Sequence, residues 1–535
     1  MVAPTGWLQS PGMRHIGRAR ASAGAVAAGA LIATTGVTGA AADPPRFRVE
    51  EASVASIRTA IAAGTTSCSE VVAAALDRIA AYDDAGPRLN AVLAVNEDAL
   101  STAAALDEQY AEGGFVGPLH CVPVLLKDNY DTADLPTTAA SAALEGAQPP
   151  DDATTVARLR AAGAIVIGKA NLHEFAVTGV TASSLGGQTL NPYDLTRTPG
   201  GSSGGTGAGV AAGFAVVGTG TDTVNSIRSP SSANGLVGLR PTRGLVSRDG
   251  IVPVSSTQDA AGPIARSVAD AAAVLQVMAG HDPADPATDV LVDRELPDYV
   301  AAAGRRVLPG ARIGVVTDFL LAGELYEPVN AVVEQARADL TAQGATVVDV
   351  DLGATAAELS ATYDVQRFEF EPLLEAYLAT TDAPVRTLEE IRALDRLHPT
   401  VESFLAAADE TGDGRTSADY AQRLAGIAEF RDRVLALMDA QDLDLLFYPM
   451  QSRLVEPVVE QMQRDRNGIL AALTGFPALT VPGGFTAPTA DAPLGVPVGV
   501  EFFARPFDEP LLLAAGRGFE EATGHRRPPV STPPL

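Results

Sequence analysis

The sequence predicts an α/β protein with a largely buried sheet. Two short apolar runs, CVPVLLK (121–127) and AIVIG (164–168), lack the polar alternation of a half-exposed strand and fit buried strands. Residues 152–162, between them, follow a helical pattern that Gly163 ends. Alternation of buried strands with helices is typical of α/β proteins, in which helices cover the sheet.

The remaining elements are predicted from the same signals. Residues 51–112 are expected to be helical, and Ser67 and Glu70 fit a capping box before the periodic stretch 71–81. Residues 184–250 are rich in Gly, Ser, Thr and Pro and predict long loops, which are usually functional inside a compact domain. Downstream, the predicted strands are RIGVV (312–316), ATVVDV (345–350), DLLFYP, PALTVP and VGVEFF, and the predicted helices cover 327–342, most of 365–440, and 508–522.

The first 42 residues predict a secretory signal peptide. Three arginines precede the apolar run AGAVAAGALIATTGV (23–37), and the segment contains no Asp or Glu. Small residues end it at Ala42, which suits signal cleavage and a mature, secreted chain from Asp43. An uncleaved anchor and a low-complexity tail are the alternatives. No other segment is long and apolar enough to span a membrane.

The charge of the chain disfavours nucleic acid as a partner. The formal net charge is −27, and it becomes −30 without the three arginines of the first 42 residues. Proteins that bind phosphate backbones are usually basic on the binding face.

Export of the chain would also determine whether its two cysteines can be oxidised. In an oxidising compartment Cys68 and Cys121 are a candidate disulfide pair, and two separate buried thiols are the alternative. Two cysteines cannot form a full zinc site, and the chain has no HExxH motif. No metal or organic cofactor is therefore predicted.

The glycine-rich stretch PGGSSGGTGAG (199–209) allows three interpretations. A phosphate-binding loop would need a Lys after the glycines, and a dinucleotide-binding turn would need a strand before them. A nucleophile elbow, which residues 201–205 match as G-x-S-x-G, also needs a preceding strand and a downstream Asp and His. The preceding residues are loop-like, and the histidines downstream lie in polar contexts. A histidine-dependent hydrolase is therefore disfavoured.

Lysine is nearly absent from this chain, which has Lys only at 127 and 169 beside 36 arginines. Ser226 lies on a polar loop after the strand-like run FAVVG, and a serine nucleophile requires a base. Arginine stays protonated, whereas burial can lower the pKa of a lysine from about 10.4 towards 7. Lys127 ends an apolar strand, where such burial is expected. Lys169 ends a strand too, and composition alone does not separate the two lysines.

Several stretches follow one another in a characteristic order. They are LLKDN (125–129), GKANLHEFA (168–176), NPYDLTRTPGGSSGGTGAG (191–209), GTDTVNSIRSPSSANGLVGLRPTRG (220–244) and STQDAAGPIARSVADAA (256–272). In order and spacing these motifs resemble the amidase signature family of hydrolases. The similarity runs from about residue 50 to 280 and resumes in the last hundred residues. It implies a large, mixed, twisted sheet covered by helices on both faces.

The resemblance also implies a Ser–cisSer–Lys triad. By position Lys127 is the base, Ser202 is the bridging hydroxyl after a cis peptide bond, and Ser226 is the nucleophile. The adjacent Ser203 is expected to support the bridge. The oxyanion hole is expected to consist of four backbone N–H groups, those of Thr223, Val224, Asn225 and Ser226.

This chain departs from the family just before the nucleophile, where glycines are usual and Val224 and Asn225 stand instead. Backbone donors do not depend on the side chain, so the hole is expected to survive. If residue 225 needed a positive φ, Asn would be among the least costly replacements for Gly. Val224 is bulkier and is expected to narrow the acyl pocket or tighten the loop.

The predicted organisation is one amidase domain, 43–535, with its core at 50–285 and 440–530 and a mostly helical substrate-cleft insert at about 355–440. Residues 367–391 resemble the cleft-shaping helices of peptide-amidase-like members. The predicted function is hydrolysis of a small-molecule or peptide carboxamide to an acid and ammonia or an amine, through an acyl-enzyme. An esterase-like enzyme and a non-catalytic binding protein are the alternatives. The family's tRNA-dependent transamidase subunit is disfavoured by the signal peptide and the charge.

Overall fold

The computed structural model describes residues 47–460 and 462–535. The predicted signal peptide, 1–42, lies outside these residues. The strands, in chain order, are β1 (Val92–Val95), β2 (Pro123–Lys127), β3 (Ile165–Ala170), β4 (Ala182–Ser183), β5 (Gly187–Gln188), β6 (Val217–Asp222), β7 (Val237–Arg240), β8 (Ala260–Ala265), β9 (Arg312–Val316), β10 (Thr346–Val350), β11 (Leu445–Pro449), β12 (Ala478–Phe485) and β13 (Pro497–Phe503).

Eleven of these strands form one mixed sheet, in the order β1-β3-β2-β6-β8-β7-β12-β13-β11-β9-β10, while β4 and β5 form a small hairpin. Strands β3, β2 and β6 are parallel neighbours, and β6, β8, β7, β12, β13 and β11 pair antiparallel in turn. Every residue of β2, β3 and β6 is buried, which explains the apolar runs of β2 and β3. The predicted α/β class with a large mixed sheet is confirmed.

Helices flank this sheet. They are α1 (Val54–Ala62), α2 (Cys68–Tyr82), α3 (Ala99–Gly113), α4 (Thr154–Ala161), α5 (Gly204–Ala211), α6 (Arg228–Ala233), α7 (Val268–Met278), α8 (Tyr299–Ala303), α9 (Glu327–Ala342), α10 (Ala356–Tyr363), α11 (Gln366–Leu378), α12 (Leu388–Ala393), α13 (Pro399–Thr411), α14 (Ala418–Ala440), α15 (Ile469–Thr474) and α16 (Glu509–Thr523). The predicted capping box is present, since Ser67 caps α2 and Glu70 bonds back to the Ser67 N–H. Within the described residues, no helix combines the length and the apolar character needed to cross a bilayer.

Several predicted assignments differ from the structure, and helix α6 and strand β7 lie inside the stretch 184–250 that is predicted as loop. Strand β1 interrupts the stretch 51–112, because its four partly exposed residues pair at the edge of the sheet and carry no strong pattern of their own. Helix α5 lies inside the glycine-rich stretch that was expected to be loop. Its glycines allow close packing, since a Cβ on Gly205 would lie 2.2 Å from the carbonyl oxygen of Asn171. Tertiary contact here outweighs the low helix propensity of glycine.

The predicted core ranges, 50–285 and 440–530, omit part of the sheet. Strands β9 and β10 continue it in parallel beyond β11, and helix α9 packs beside them. The predicted insert, about 355–440, contains α10 to α14. A buried carboxylate attaches this helical segment to the rest of the chain, because Glu369 of α11 accepts hydrogen bonds from the hydroxyls of Ser255, Ser256 and Thr257.

A covalent link joins α2 to the residues just before β2. The Cys68 and Cys121 sulfur atoms are bonded to each other in the structure, with Cα atoms 4.9 Å apart, a separation usual for disulfides. Both residues are fully buried, and His120 Nε2 lies 3.6 Å from the Cys68 sulfur. The link closes a loop across a separation of 53 residues close to the strand that ends at Lys127.

We expect the purified protein to resist thiol alkylation under denaturing conditions without reductant. After reduction its mass should increase by two adducts, because the chain has only these two cysteines. Reduction should also lower the free energy of unfolding by about 2–4 kcal/mol, since the closed loop restricts the unfolded chain. Two adducts before reduction would show separate thiols instead. Mass spectrometry and urea denaturation make these measurements.

Candidate active site

The parallel pairing of β2 with β6 aligns the carboxyl ends of both strands, with Val124 opposite Val217. At this edge the fully buried Lys127 Nζ lies 2.8 Å from Ser202 Oγ and 2.7 Å from Thr221 Oγ1. The structure therefore brings two of the three predicted triad residues into hydrogen-bond contact. Thr221, which the sequence analysis did not single out, is the second partner of the amine.

Burial changes the acidity of Lys127. Loss of hydration lowers its pKa from 10.5 to about 7, although the negative charges of Asp222 and Asp259 oppose the shift. Within the described residues no carboxylate forms an ion pair with this amine. Lys169 differs, because its Nζ lies 3.2 Å from Asp128 Oδ1 and also donates to the Pro136 carbonyl. The structure thus separates the two lysines that composition could not distinguish.

Ser202 is held by its backbone. The peptide bond between Gly201 and Ser202 is cis, as the resemblance implied. The Ser202 carbonyl accepts a hydrogen bond from the backbone N–H of His173 at 3.0 Å. A Cβ at residue 201 would lie 2.8 Å from the carbonyl oxygen of Val180, so only glycine fits there. Close backbone contacts therefore fix the hydroxyl of Ser202 beside the amine.

Ser226 lies on the loop between β6 and α6 and lines a cavity. Its carbonyl accepts a hydrogen bond from the Ser203 N–H at 3.2 Å, which joins the two serine-bearing loops. The Ser203 hydroxyl donates to the Thr221 carbonyl at 3.5 Å, so the backbone N–H and the hydroxyl of Ser203 both bond to the segment that carries Ser226. Across residues 47–460 and 462–535, no hydrogen bond connects the hydroxyls of Ser202 and Ser226.

Four consecutive amides around Ser226 are free. In the described part of the chain, none of the backbone N–H groups of residues 223–226 donates to a protein acceptor. Such groups are almost always paired when buried, so a run of four unpaired donors next to a cavity indicates a place for an anionic or strongly polar oxygen. These are the donors that the resemblance assigned to the oxyanion hole.

A buried ionic network lies beneath this loop. Asp222 accepts hydrogen bonds from the Ile227 N–H and from Arg228 Nε, and it pairs with Arg240 at 2.9 Å. Arg228 also pairs with Glu501 of β13 at 2.5 Å. All four charged side chains are completely buried. Burial alone would raise the pKa of Asp222, but the two guanidinium groups outweigh it and hold that pKa well below its usual range.

The network explains how the loop keeps its shape without glycine at its centre. Neither Val224 nor Asn225 has a positive φ, so the left-handed backbone considered for residue 225 is absent. Arg228 donates to the Val224 carbonyl at 2.6 Å, and the Gly468 N–H donates to Asn225 Oδ1 at 2.9 Å. A Cβ on Gly468 would lie 2.5 Å from both Val224 O and Asn225 Oδ1. Side-chain and backbone contacts, rather than flexible glycines, therefore set the loop.

A cavity of about 310 Å³ opens in front of Ser226. Its walls combine the loop 223–226, residues 176–178, the segment 463–469, and residues of the helical segment. The last group comes from α10, α11 and α13 and comprises Ala356, Ala357, Ser360, Gln366 and Phe404, together with Asp364 between α10 and α11. The cavity thus joins the serine to the region that was predicted to shape a substrate cleft.

Comparison with known proteins identifies this arrangement. A family model described as Amidase matches residues 70–513. The chain belongs to the amidase signature family. As a member of that family it is an amide-hydrolysing enzyme.

Individual relatives agree with the family assignment. The structure superposes on the peptide amidase of Stenotrophomonas maltophilia with a TM-score of 0.81 and 40% identity, covering 90% of this chain and 98% of that one. An amidase family protein of Bacillus anthracis gives a TM-score of 0.79 at 31% identity, over 90% and 92% of the two chains. In sequence, a glutamyl-tRNA(Gln) amidotransferase subunit from Acidothermus cellulolyticus is 38% identical over 488 residues, 87% of this chain and 93% of the relative.

Replacing Asp222 by Asn should destabilise the amidase strongly. The change leaves two buried guanidinium groups with one carboxylate fewer, which we expect to lower the free energy of unfolding by about 3–5 kcal/mol. The matched control is Asp349→Asn, because Asp349 pairs with Arg337 at 2.7 Å but is 61% exposed. That loss should be below about 1 kcal/mol. Equal losses in urea denaturation would contradict a structural role for the buried network.

Proposed function

We propose that this amidase hydrolyses linear carboxamides with Ser226 as nucleophile, Ser202 as proton relay and neutral Lys127 as general base. One observation carries the proposal: an amine whose pKa burial lowers to about 7 lies 2.8 Å from a serine hydroxyl. A neutral amine keeps two N–H bonds for Thr221 and offers its lone pair to Ser202.

Acylation begins when the Ser226 hydroxyl turns towards Ser202. Hydrogen bonds between catalytic groups often tighten only when substrate is bound, which accounts for the missing contact between these two hydroxyls. Ser226 Oγ attacks the amide carbon while its proton passes to Ser202 Oγ, and the Ser202 proton passes to Lys127 Nζ. The tetrahedral intermediate collapses as the leaving nitrogen takes a proton back along the same path. The products are an amine or ammonia and an ester on Ser226.

Deacylation repeats these steps with water. A water molecule attacks the ester carbon and gives one proton to the relay, and the C–O bond to Ser226 breaks as the serine oxygen regains a proton. The acid leaves and Lys127 is neutral again. Since no net proton remains on the amine, the cycle needs no further reactant.

The free amides of residues 223–226 support the same proposal. In both steps the carbonyl oxygen becomes negative, and preformed N–H donors stabilise that charge without reorganisation. One such donor is typically worth about 3 kcal/mol in the transition state. The ionic network around Asp222 holds these donors in place, since Asp222 bonds to the residue directly after Ser226.

The lining of the cavity and one structural neighbour support linear carboxamides, including peptide amides, as substrates. Helices α10, α11 and α13 contribute to its wall, and the structural neighbour from Stenotrophomonas maltophilia is a peptide amidase. Relatives named as tRNA amidotransferase subunits suggest another substrate. A formal net charge of −27 disfavours a tRNA partner here, because phosphates repel an acidic surface.

We further propose that the enzyme acts outside the cytoplasm. The support is the sequence of the first 42 residues, with arginines ahead of an apolar run and small residues at its end. The pairing of Cys68 with Cys121 is consistent with an oxidising compartment.

Substitutions at the proposed base should distinguish proton acceptance from positive charge. We expect Ser226→Ala and Lys127→Ala to lower kcat/KM by about 10⁴-fold or more, as losses of nucleophile or base do elsewhere. Lys127→Arg should be as inactive as Lys127→Ala, because a guanidinium stays protonated. The matched control is Lys169→Arg, which preserves the ion pair with Asp128 and should retain most activity. Near-normal turnover by a folded Lys127→Arg enzyme would refute the base assignment.

The pH profile should follow the proton on Lys127. Because the neutral amine is the active form and its pKa is about 7, kcat/KM should rise with pH through about 7 and then level off. The measurement is initial rates on one amide substrate between about pH 5 and 9, within the range where circular dichroism shows a folded protein. A rate that stays flat below pH 6, or falls as pH rises to about 8, would contradict a neutral-amine base.

Export predicts a defined N-terminus. The protein recovered from the culture medium of the producing organism should begin near Asp43, since Ala42 closes the signal. Intact-mass measurement of the secreted and cell-retained fractions provides the test. Full-length chain confined to the cells would refute export.

A further inference from the structure

The cavity in front of Ser226 contains a guanidinium group without a partner. Arg466 lines this cavity together with Ser226. Within the described residues, its side chain makes no hydrogen bond, ion pair or cation–π contact. Its guanidinium lies against residue 179, where a Cβ would be only 2.2 Å from Nη1, so glycine leaves the room for it. An arginine that lines the cavity with its N–H donors unpaired is a candidate for binding a ligand.

The energetic setting of Arg466 favours an anion. Burial lowers its pKa to about 10, and the charge of Asp222, which opposes this shift, is already neutralised by two other arginines. When a substrate fills the cavity, this guanidinium loses part of its remaining water. A desolvated charge is costly unless an opposite charge pairs with it. A carboxylate matches the fork of a guanidinium with two parallel hydrogen bonds.

Two carboxylates in the same cavity wall do not supply that partner. Both oxygens of Asp364 accept hydrogen bonds from Gln366, and burial raises the pKa of Asp364. Asp465 accepts a hydrogen bond from Tyr326 at 3.2 Å and lies 3.8 Å from Arg453. Each acid is therefore engaged elsewhere, whereas Arg466 is not.

We propose that Arg466 is a specificity-determining residue that binds a carboxylate of the substrate, so that the preferred substrates are amides that carry a free acid group, such as half-amides of dicarboxylic acids. This proposal rests on the proposed function of the cavity and names its substrate class. Arg466 touches the substrate away from the scissile bond and takes no part in proton transfer.

The kinetic test compares wild type with Arg466→Met on the half-amides succinamic, glutaramic and adipamic acid, and on the neutral amide pentanamide. The three acids differ in the distance between the amide and the carboxylate, so the series samples several separations between Ser226 and Arg466. For the best half-amide we expect kcat/KM of the variant to fall by about 10- to 100-fold, mainly through KM, as the loss of a charge-assisted hydrogen bond predicts. Pentanamide should change by less than about threefold.

The matched control is Arg464→Met, two residues away on the same segment. Arg464 is 52% exposed and, within the described residues, its ion-pair partners are Glu456 and Glu460, each at 3.7 Å, so activity on neither substrate should be affected. Thermal unfolding of both variants reports any loss of fold. Equal loss on half-amides and pentanamide by Arg466→Met would show a structural role and overturn the proposal. So would a wild-type enzyme that hydrolyses pentanamide or an N-acetyl dipeptide amide but no half-amide.

A binding measurement separates this proposal from the proposed catalytic function. Calorimetric titration of the best half-amide into the Ser226→Ala protein needs no turnover, and adding Arg466→Met should weaken that affinity by at least about tenfold. If the wild type hydrolyses no amide while this difference is found, the catalytic proposal fails and the carboxylate site stands. If wild-type turnover is normal and the affinities are equal, only the carboxylate site is refuted.

Discussion

Exclusion of water from Lys127 Nζ is the constraint on which the rest of the site depends. The amine lies at the end of a strand buried along its whole length, with hydroxyls rather than carboxylates as contacts. Loss of hydration brings its pKa to about 7, and within the described residues no carboxylate pairs with it, as Asp128 does with Lys169, to favour the protonated amine. In the proposed mechanism, Lys127 can act as a base because the sheet excludes water from it and places hydroxyls beside it.

The neighbouring loop, in contrast, is held by charged side chains that are buried as ion pairs. Asp222, Arg228, Arg240 and Glu501 are buried as charges, and each is paired. Such a network contributes little net stability compared with an apolar core, but it determines one geometry, because any other arrangement would leave a charge unpaired. Here the amides of residues 223–226 are without a protein acceptor in the described part of the chain, and these residues line the cavity. A lysine with a pKa of about 7 and a network of paired charges therefore coexist at neighbouring strand ends of one sheet.

The sequence predicted the buried strands that are continuous apolar runs, such as β2, but it did not predict the buried strands β7 and β8, which lack such a run. It predicted less of β1 and α5, which are determined by edge pairing and by close helix packing on Gly205 rather than by local pattern. Of the site, the contact between Lys127 and Ser202 followed from motif order. The roles of Thr221 and Arg466 could not be predicted from motif order. Thr221 comes close to Lys127 through the pairing of β2 with β6, and the cavity that Arg466 lines is formed by segments distant in the sequence. The motif GTDTVNSIR contains Asp222 and Arg228, two of the four charged residues of the network.

The distances along the chain between the site residues have a consequence for the nascent protein. Lys127 belongs to β2, while Ser226 and its amides follow β6, and the partner of Arg228 is Glu501, near the end of the chain. Under the proposed mechanism, the serine therefore gains its relay and its ordered donors only after the last strands have been synthesised and docked. We expect the incomplete polypeptide to be unreactive, so that reaction of Ser226 with an electrophile would report completed folding.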